Sequence, residues 1–295
     1  MNLIDSHADL ISVVIPTKNR AQRLVKAVIS AQQQIGVTLE ILIVDDASTD
    51  NTEAVVKSLA DNDVRVKYFR HHQSIGGGAA RNTGIENSTG ALVAFLDDDD
   101  EWYSNKLKVQ LELLKSQPSA VAASCSFLLN KPGQNNQLIT ITSLGDRQKL
   151  LRSNHLGGAS VCLAWRKVLI AIGGLDPLLR SCQDWDLWLK LHKQGSIEVS
   201  QEPLVNYYVH EEDRITGNLS NEYQGRKKIF LRYRKEMNSE TRKHTLAILM
   251  FYRVVVYDQS LWRRLKTIFY LILRNKNLES IKFIYRFIKL YPSIN

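Results

Sequence analysis

Leu92-Val93-Ala94-Phe95-Leu96-Asp97-Asp98-Asp99-Asp100-Glu101-Trp102 runs five apolar residues straight into four aspartates. An apolar run of that length reads as a strand buried on both faces. In an open α/β sheet, ligand sites collect at the ends of such strands. Four adjacent carboxylates repel one another, so each neighbour raises the cost of ionising the next. A hard divalent cation such as Mg²⁺ relieves that repulsion through oxygen ligands. A solvated acidic loop is the plain alternative for any charge run. Placement at a strand end, rather than in a polar linker, favours a metal site.

Upstream of this stretch, strand and helix signals alternate. Residues 11–15 read as a strand stopped by Pro16, and Leu24, Val28, Ala31 and Ile35 then line one helix face that Gly36 closes. Residues 39–44 form a second strand ended by Asp45-Asp46, and Asp50-Asn51-Thr52-Glu53 resembles a capping box opening a helix to about residue 59. Residues 64–69 alternate as a third strand, and Gly76-Gly77-Gly78 leads into a helix over 79–87. The order predicts a doubly covered, mainly parallel α/β sheet of Rossmann-like type for residues 9–102. Beyond it, helices are expected over 106–115 and 184–193, with a polar loop at 130–148 on the acceptor side.

The 295-residue chain is long enough for one large domain with an appendage. Its +9 charge is unevenly spread: 22 Lys and Arg stand against 26 Asp and Glu over residues 1–224, net −4, and 17 against 4 over 225–295, net +13. The division expected is a body of 1–224, with its halves meeting near 102, and a basic helical extension of 225–295. Cys125, Cys162 and Cys182 show neither zinc spacing nor a disulfide framework and read as free thiols in a reducing compartment. With no signal-peptide pattern and no apolar run near the ~20 residues that span a bilayer, the expected location is cytoplasmic, or peripheral on the cytoplasmic face of a membrane.

Three acidic positions fall at element ends: Asp45-Asp46, Asp97 to Asp100, and Asp184 at a helix start. In a parallel sheet the first two share the carboxyl edge and can face one pocket. Asp46 there suits a hydrogen bond from a base or a ribose hydroxyl, the alternative being a turn or cap aspartate. Asp184 has a helix N-cap as its alternative, and Arg81 an ion pair on its own helix. Trp102, Trp185 and Trp188 read either as ligand-stacking faces or as core. No Gly-x-Gly-x-x-Gly follows the first strand and no Gly-Lys-Ser/Thr occurs, so neither a dinucleotide fingerprint nor a P-loop is supported.

Pro16-Thr17-x-Asn19-Arg20, Val44-Asp45-Asp46-Ala47-Ser48-Thr49-Asp50, Gly78-Ala79-Ala80-Arg81-Asn82-x-Gly84, Phe95-Leu96-Asp97-x-Asp99-Asp100 and Gln183-Asp184-Trp185-Asp186-Leu187-Trp188 occur in that order. The set resembles the family 2 inverting glycosyltransferases of GT-A fold, over roughly residues 9–215. Each motif is weak alone; five in order are specific. The resemblance implies transfer of a sugar from a nucleotide-sugar, a UDP-sugar first, to a saccharide or glycolipid hydroxyl, with Mg²⁺ or Mn²⁺ as cofactor. It places Pro16, Thr17, Asn19, Arg20, Asp46, Arg81 and Asp97 on the donor side, Asp99 and His210 at the metal, and Asp184 as the base. Asp98 stands where the family tolerates many residues and joins the donor-side set as a member of the acidic run. Gln183 departs from a frequent Glu. Surface polysaccharide or glycolipid assembly is the family-level setting. A nucleotidyltransferase on a similar sheet, or an inactive nucleotide-binding scaffold, is the competing reading.

In the basic extension, Leu265, Ile268, Phe269, Ile272 and Leu273 share one helical face, as do Ile281, Ile284, Ile288 and Tyr291. Such faces lie on an anionic membrane surface or pack on the body. Nothing marks a nucleic-acid reader.

Overall fold

The computed structural model describes residues 9–142, 147–210 and 218–257. They form two compact units: 9–142, 154–178 and 183–210 make the first, and 147–153, 179–182 and 218–257 the second.

The first unit is built on a nine-stranded sheet. Its amino-terminal half runs β1 (Leu10–Thr17), α1 (Ala21–Gln32), β2 (Thr38–Asp45), α2 (Thr52–Asn62), β3 (Val66–Arg70), α3 (Gly77–Asn87) and β4 (Leu92–Phe95). β5 (Glu101–Trp102), α4 (Lys106–Ser116), β6 (Ala120–Asn130), β7 (Gln137–Ile139), β8 (Leu163–Trp165), α6 (Arg166–Ala171), α7 (Gln183–Leu191) and β9 (Ser196–Tyr208) complete it; α5 (Arg147–Arg152) belongs to the second unit. The sheet order is β3-β2-β1-β4-β8-β6-β9-β5, with β7 on β6. β3, β2, β1 and β4 are mutually parallel, as the alternation predicts. β8 enters antiparallel between β4 and β6. Ile11, Val13, Val14, Ile15, Ile41, Leu42, Ile43, Val44 and Leu92 to Leu96 are buried, because these central strands are covered on both faces.

Several boundaries differ from the sequence reading. β1 continues through Pro16, which pairs with Val44, to Thr17. β4 ends at Phe95 opposite Val14, so the N–H that proline lacks would meet no strand there. α1 stops at Gln32, leaving Ile35 exposed and off the helical face. The expected 130–148 loop contains β7, which turns back on β6 as a hairpin. α3 lies directly on β1: a Cβ on Gly84 would sit 2.2 Å from a methyl of Val14, so only glycine permits that approach.

Glu40 is a carboxylate inside an otherwise apolar strand. Its Oε1 accepts from the Ser12 hydroxyl (2.6 Å), the Thr89 N–H (2.7 Å) and the Thr89 hydroxyl, and its Oε2 from Lys67 Nζ (2.6 Å). Burial pushes this carboxyl up, but the bonds from Lys67, Ser12 and Thr89 outweigh it and hold it at about 2. An unfolded glutamate titrates near 4.3, so the ionised network stabilises the fold above that pH and the gain is lost as pH falls toward 2. Glu40→Gln is expected to cost about 1–3 kcal/mol at pH 7, because an amide cannot accept all four bonds. Urea unfolding at pH 7 and pH 3 checks this, the two proteins converging at the lower pH.

The second unit joins α5 to α8 (Leu219–Tyr233) and α9 (Ser239–Tyr257). Arg147 bonds Glu236 through Nε (2.8 Å), and Arg152 reaches Glu240 (3.1 Å). Leu150, Leu151, Ile229, Tyr233, Phe251 and Tyr252 are among its buried apolar residues. No described helix is long and apolar enough to cross a membrane. The amphipathic faces expected over 265–273 and 281–291 lie outside the described residues.

Candidate active site

The parallel strands deliver their carboxyl ends to one edge: Thr17 pairs with Asp45 and Asp45 with Arg70, while Leu96 N–H bonds the Val14 carbonyl. The aspartate run is a tight turn leaving that edge, with the Asp100 N–H on the Asp97 carbonyl (3.1 Å).

Basic and hydroxyl groups surround the turn. Thr17 Oγ1 donates to Asp98 Oδ2 (2.7 Å), and Arg20 Nη1 donates to Asp98 Oδ1 (2.8 Å) and Asp99 Oδ2 (3.0 Å). Arg81, on α3, pairs with Asp97. Ser160 pins both ends of the run, its hydroxyl donating to Asp100 Oδ2 (2.5 Å) and accepting the Asp97 N–H (3.0 Å). The Tyr208 N–H donates to Asp100 Oδ1 (3.1 Å).

Asp97, Asp99 and Asp100 bring carboxylate oxygens within 4.8 Å of one another, the one such metal-capable group among the described residues. Burial, then the Asp97 and Asp98 charges, push Asp99 up to about 6. Burial and the Asp97 and Asp99 charges raise Asp100 well above the usual range. Burial raises Asp98 as well, with Arg20 and Thr17 opposing. These crowded hard oxygen donors fit a divalent cation. His210 stands outside the triad, its ring centroid 6.5 Å from that of Tyr208.

Asp184, near the start of α7, acts electrostatically on Arg81 and Tyr207, as the aspartates of the turn also do. Burial works against the Arg81 charge, but Asp97, Asp184 and Asp98 together hold its pKa above the ordinary value. Burial raises Tyr207 well above its usual range, aided by the Asp100, Asp97, Asp184 and Asp99 charges. Asp184 Oδ2 accepts from Asn154 Nδ2 at 2.9 Å. The Arg81 Nε–H is buried without a hydrogen-bond partner among the described residues, a donor suited to an anionic oxygen.

Asp46 lies at the same edge but is fully engaged. Its Oδ1 meets His71 Nδ1 (2.9 Å) and the Ile75 N–H (2.8 Å), and its Oδ2 the Ser74 hydroxyl (2.6 Å) and the Gly76 N–H (2.9 Å). It thereby fixes the loop that starts α3, where Gly76 adopts φ +97°. Asn19, at φ +54°, accepts the Thr49 N–H (2.7 Å) and ties the ends of β1 and β2 together. Pro16 is a ladder residue of β1.

Trp102, Trp185 and Trp188 are core: Trp102 Nε1 donates to the Ser160 carbonyl (2.8 Å) and Trp188 Nε1 to the Gly157 carbonyl (3.0 Å). Buried Lys106 lies 3.9 Å from the Trp102 ring centroid and bonds Gln110 Oε1. Cys125 and Cys162 are buried free thiols, as expected; Cys182 is half-buried. The sequence reading missed Asn154, Ser160 and Tyr207. Its one available signal was the Gly157-Gly158 break beside them, since glycine pairs mark loops near functional edges.

A parallel half-sheet with an acidic turn at its carboxyl edge, extended through the antiparallel strand β8 into a mixed second half, defines a GT-A-type glycosyltransferase fold. The glycosyl transferase family 2 model matches residues 12–171, and the chain belongs to that family. The structure of Staphylococcus aureus TarS 1–349 in complex with UDP-GlcNAc superposes with a TM-score of 0.67 at 17% identity, over 89% of this chain and 80% of that one. The Campylobacter jejuni GalNAc(5)-diNAcBac-PP-undecaprenol beta-1,3-glucosyltransferase is 26% identical over 284 residues, 91% of this chain and 89% of the relative. An uncharacterized glycosyltransferase of Rickettsia felis is 36% identical over 128 residues, 43% of this chain, which spans only 21% of that relative's length.

Proposed function

We propose that the chain is an inverting glycosyltransferase that moves a sugar from a nucleotide-sugar, a UDP-sugar first among the donors, to a hydroxyl of a saccharide or glycolipid acceptor. The observation that carries this reading is Arg81, which pairs with Asp97 and is also within electrostatic reach of Asp98 and Asp184. One cation thus serves both an anionic turn suited to a metal-bridged diphosphate and a carboxylate suited to accept a proton.

In this reading Thr17, Arg20, Asp97 and Asp98 shape the donor side, with Pro16 and Asn19 fixing the strand ends behind them. Asp46 reaches a nucleoside by exchanging one of its four loop partners. Arg81 offers its unpartnered Nε–H to a phosphate oxygen as charge builds on the leaving group. Asp97, Asp99 and Asp100 would hold Mg²⁺ or Mn²⁺, with His210 as the further donor implied by the family. Bound there, the cation supplies Lewis-acid stabilisation of the leaving diphosphate. Asp184 takes the acceptor hydroxyl's proton as that oxygen attacks the anomeric carbon from the opposite face, so configuration inverts.

An anionic membrane is the partner proposed for 225–295, in keeping with surface glycan or glycolipid assembly at the cytoplasmic face. Exposed Leu246, Met250 and Tyr257 on α9, beside exposed basic residues of α8 and α9, support it.

The test is a panel of nucleoside diphosphate sugars and lipid-linked or free saccharide acceptors, with Mn²⁺ or with chelator. Acceptor-dependent release of nucleoside diphosphate is expected, abolished by chelator. Release of pyrophosphate from a nucleoside triphosphate instead would assign nucleotidyl transfer.

A further inference from the structure

Asn154 has every polar atom of its side chain committed. Nδ2 donates to the Gly157 carbonyl (2.8 Å) and to Asp184 Oδ2 (2.9 Å), and Oδ1 accepts the Leu156 N–H (3.1 Å). An amide's oxygen and nitrogen are interchangeable in shape, so their assignment rests on the partners. Here the partners decide: a backbone N–H can only donate and a carbonyl can only accept. The amide therefore cannot be reversed, and it presents an N–H to Asp184. The Gly157 carbonyl is itself fixed by Trp188 Nε1 (3.0 Å), and Trp188 sits one helical turn after Asp184 on α7. The bond to Asp184 is thus braced by backbone and core.

We infer that Asn154 is the positioning residue of the transfer reaction, holding Asp184 ionised and aimed as a proton acceptor. The inference rests on reading Asp184 as the base. A donated N–H favours the charged carboxylate over the neutral acid. It also leaves Asp184 Oδ1, which accepts the Trp185 N–H (2.9 Å), as the oxygen on the other side of the same carboxyl. Other groups acting on Asp184 include Arg81 of α3, which favours its ionised form, and Tyr207 of β9, itself kept neutral by burial. Arg81 is shared with the Asp97 turn, so the Asn154 amide is a donor to Asp184 that the acidic turn does not compete for.

Asn154→Asp keeps size and the Leu156 bond but replaces the donor with a like charge; Asn154→Ala removes it. The titration midpoint of the Asp184 carboxyl carbon, followed by ¹³C NMR on the full chain and assigned with Asp184→Asn, needs no substrate. It is expected to rise in Asn154→Ala, and by about one unit or more in Asn154→Asp. In transfer assays, kcat should fall at least about tenfold in Asn154→Asp, within the roughly 10²–10⁴-fold that a positioned base contributes. The donor KM should hold and the acid limb of the kcat profile should move upward. Binding of UDP with Mn²⁺, read by thermal shift, should match wild type in both variants and shows that each is folded. An unchanged Asp184 midpoint in both variants overturns the inference. Wild-type turnover by Asp184→Asn sinks instead the reading of Asp184 as base, whatever the Asn154 variants do.

Discussion

Asp184→Asn is expected to remove about 10²–10⁴-fold of the transfer rate while leaving nucleotide binding at its wild-type level, the range a positioned proton acceptor supplies. The substitution is nearly isosteric. The single amide oxygen at 184 can keep one of the two bonds that the carboxylate accepts on separate oxygens, from Asn154 Nδ2 or from the Trp185 N–H, while the loop at 154–158 keeps its Asn154–Gly157, Asn154–Leu156 and Trp188–Gly157 bonds. What disappears is the capacity to take a proton and one of the negative charges acting on Arg81. Asp97 and Asp98 remain on that guanidinium, so the donor side should bind UDP as before. Single-turnover transfer and UDP titration on the same preparation separate the two effects. Equal losses in turnover and in UDP affinity would assign Asp184 to donor binding rather than to proton transfer.

The features legible in the sequence are those written in short-range order. Ile41 to Val44, or Leu92 to Leu96, are apolar at consecutive positions because both faces of a central parallel strand are covered, and the acidic residues stand at the next positions along the chain. The order β1-α1-β2-α2-β3-α3-β4 follows directly. Features created by distant chain segments were not legible. The strand position of Pro16 depends on where β4 ends, some eighty residues away. Ser160 matters because its hydroxyl reaches Asp100 and the Asp97 N–H across 60 and 63 positions. Asn154 and Tyr207 lie in segments with no hydrophobic period around them. Asp46 was legible as an edge aspartate, but its four loop partners from 71–76 were not. Glu40 did carry a signal: a carboxylate in Leu39-Glu40-Ile41-Leu42-Ile43-Val44 must be buried, and a buried charge requires partners. Lys106 and Gln110, four apart on α4, formed a comparable hint, and they are buried and bonded to each other.

The metal-free protein is expected to lose stability as pH rises from about 4 to about 6, opposite to the trend set by Glu40. The cause is the crowded turn. Burial and the Asp97 and Asp98 charges place Asp99 at about 6, whereas an unfolded aspartate titrates near 3.9. A carboxyl whose folded value is raised binds its proton more tightly in the folded state, so ionising it above that range costs the fold. Two units correspond to about 3 kcal/mol, fully present above pH 6 and absent below pH 4. Mn²⁺ at pH 7 should recover this loss by joining Asp97, Asp99 and Asp100, and should do so far less at pH 5, where Asp99 carries a proton that the cation must displace. Asp99→Asn removes both effects together: its metal-free melting temperature should exceed that of wild type at pH 7, its Mn²⁺ response should vanish, and metal-dependent transfer should fall by at least the order of magnitude that loss of one anionic ligand produces. Calorimetric melts in chelator and in Mn²⁺ across pH 5–7.5, wild type beside Asp99→Asn, measure all of this without a substrate. An undiminished Mn²⁺ shift in Asp99→Asn would remove Asp99 from the cation site, and a flat difference between the two metal-free proteins would show that the carboxylates of the turn do not repel one another as their packing requires.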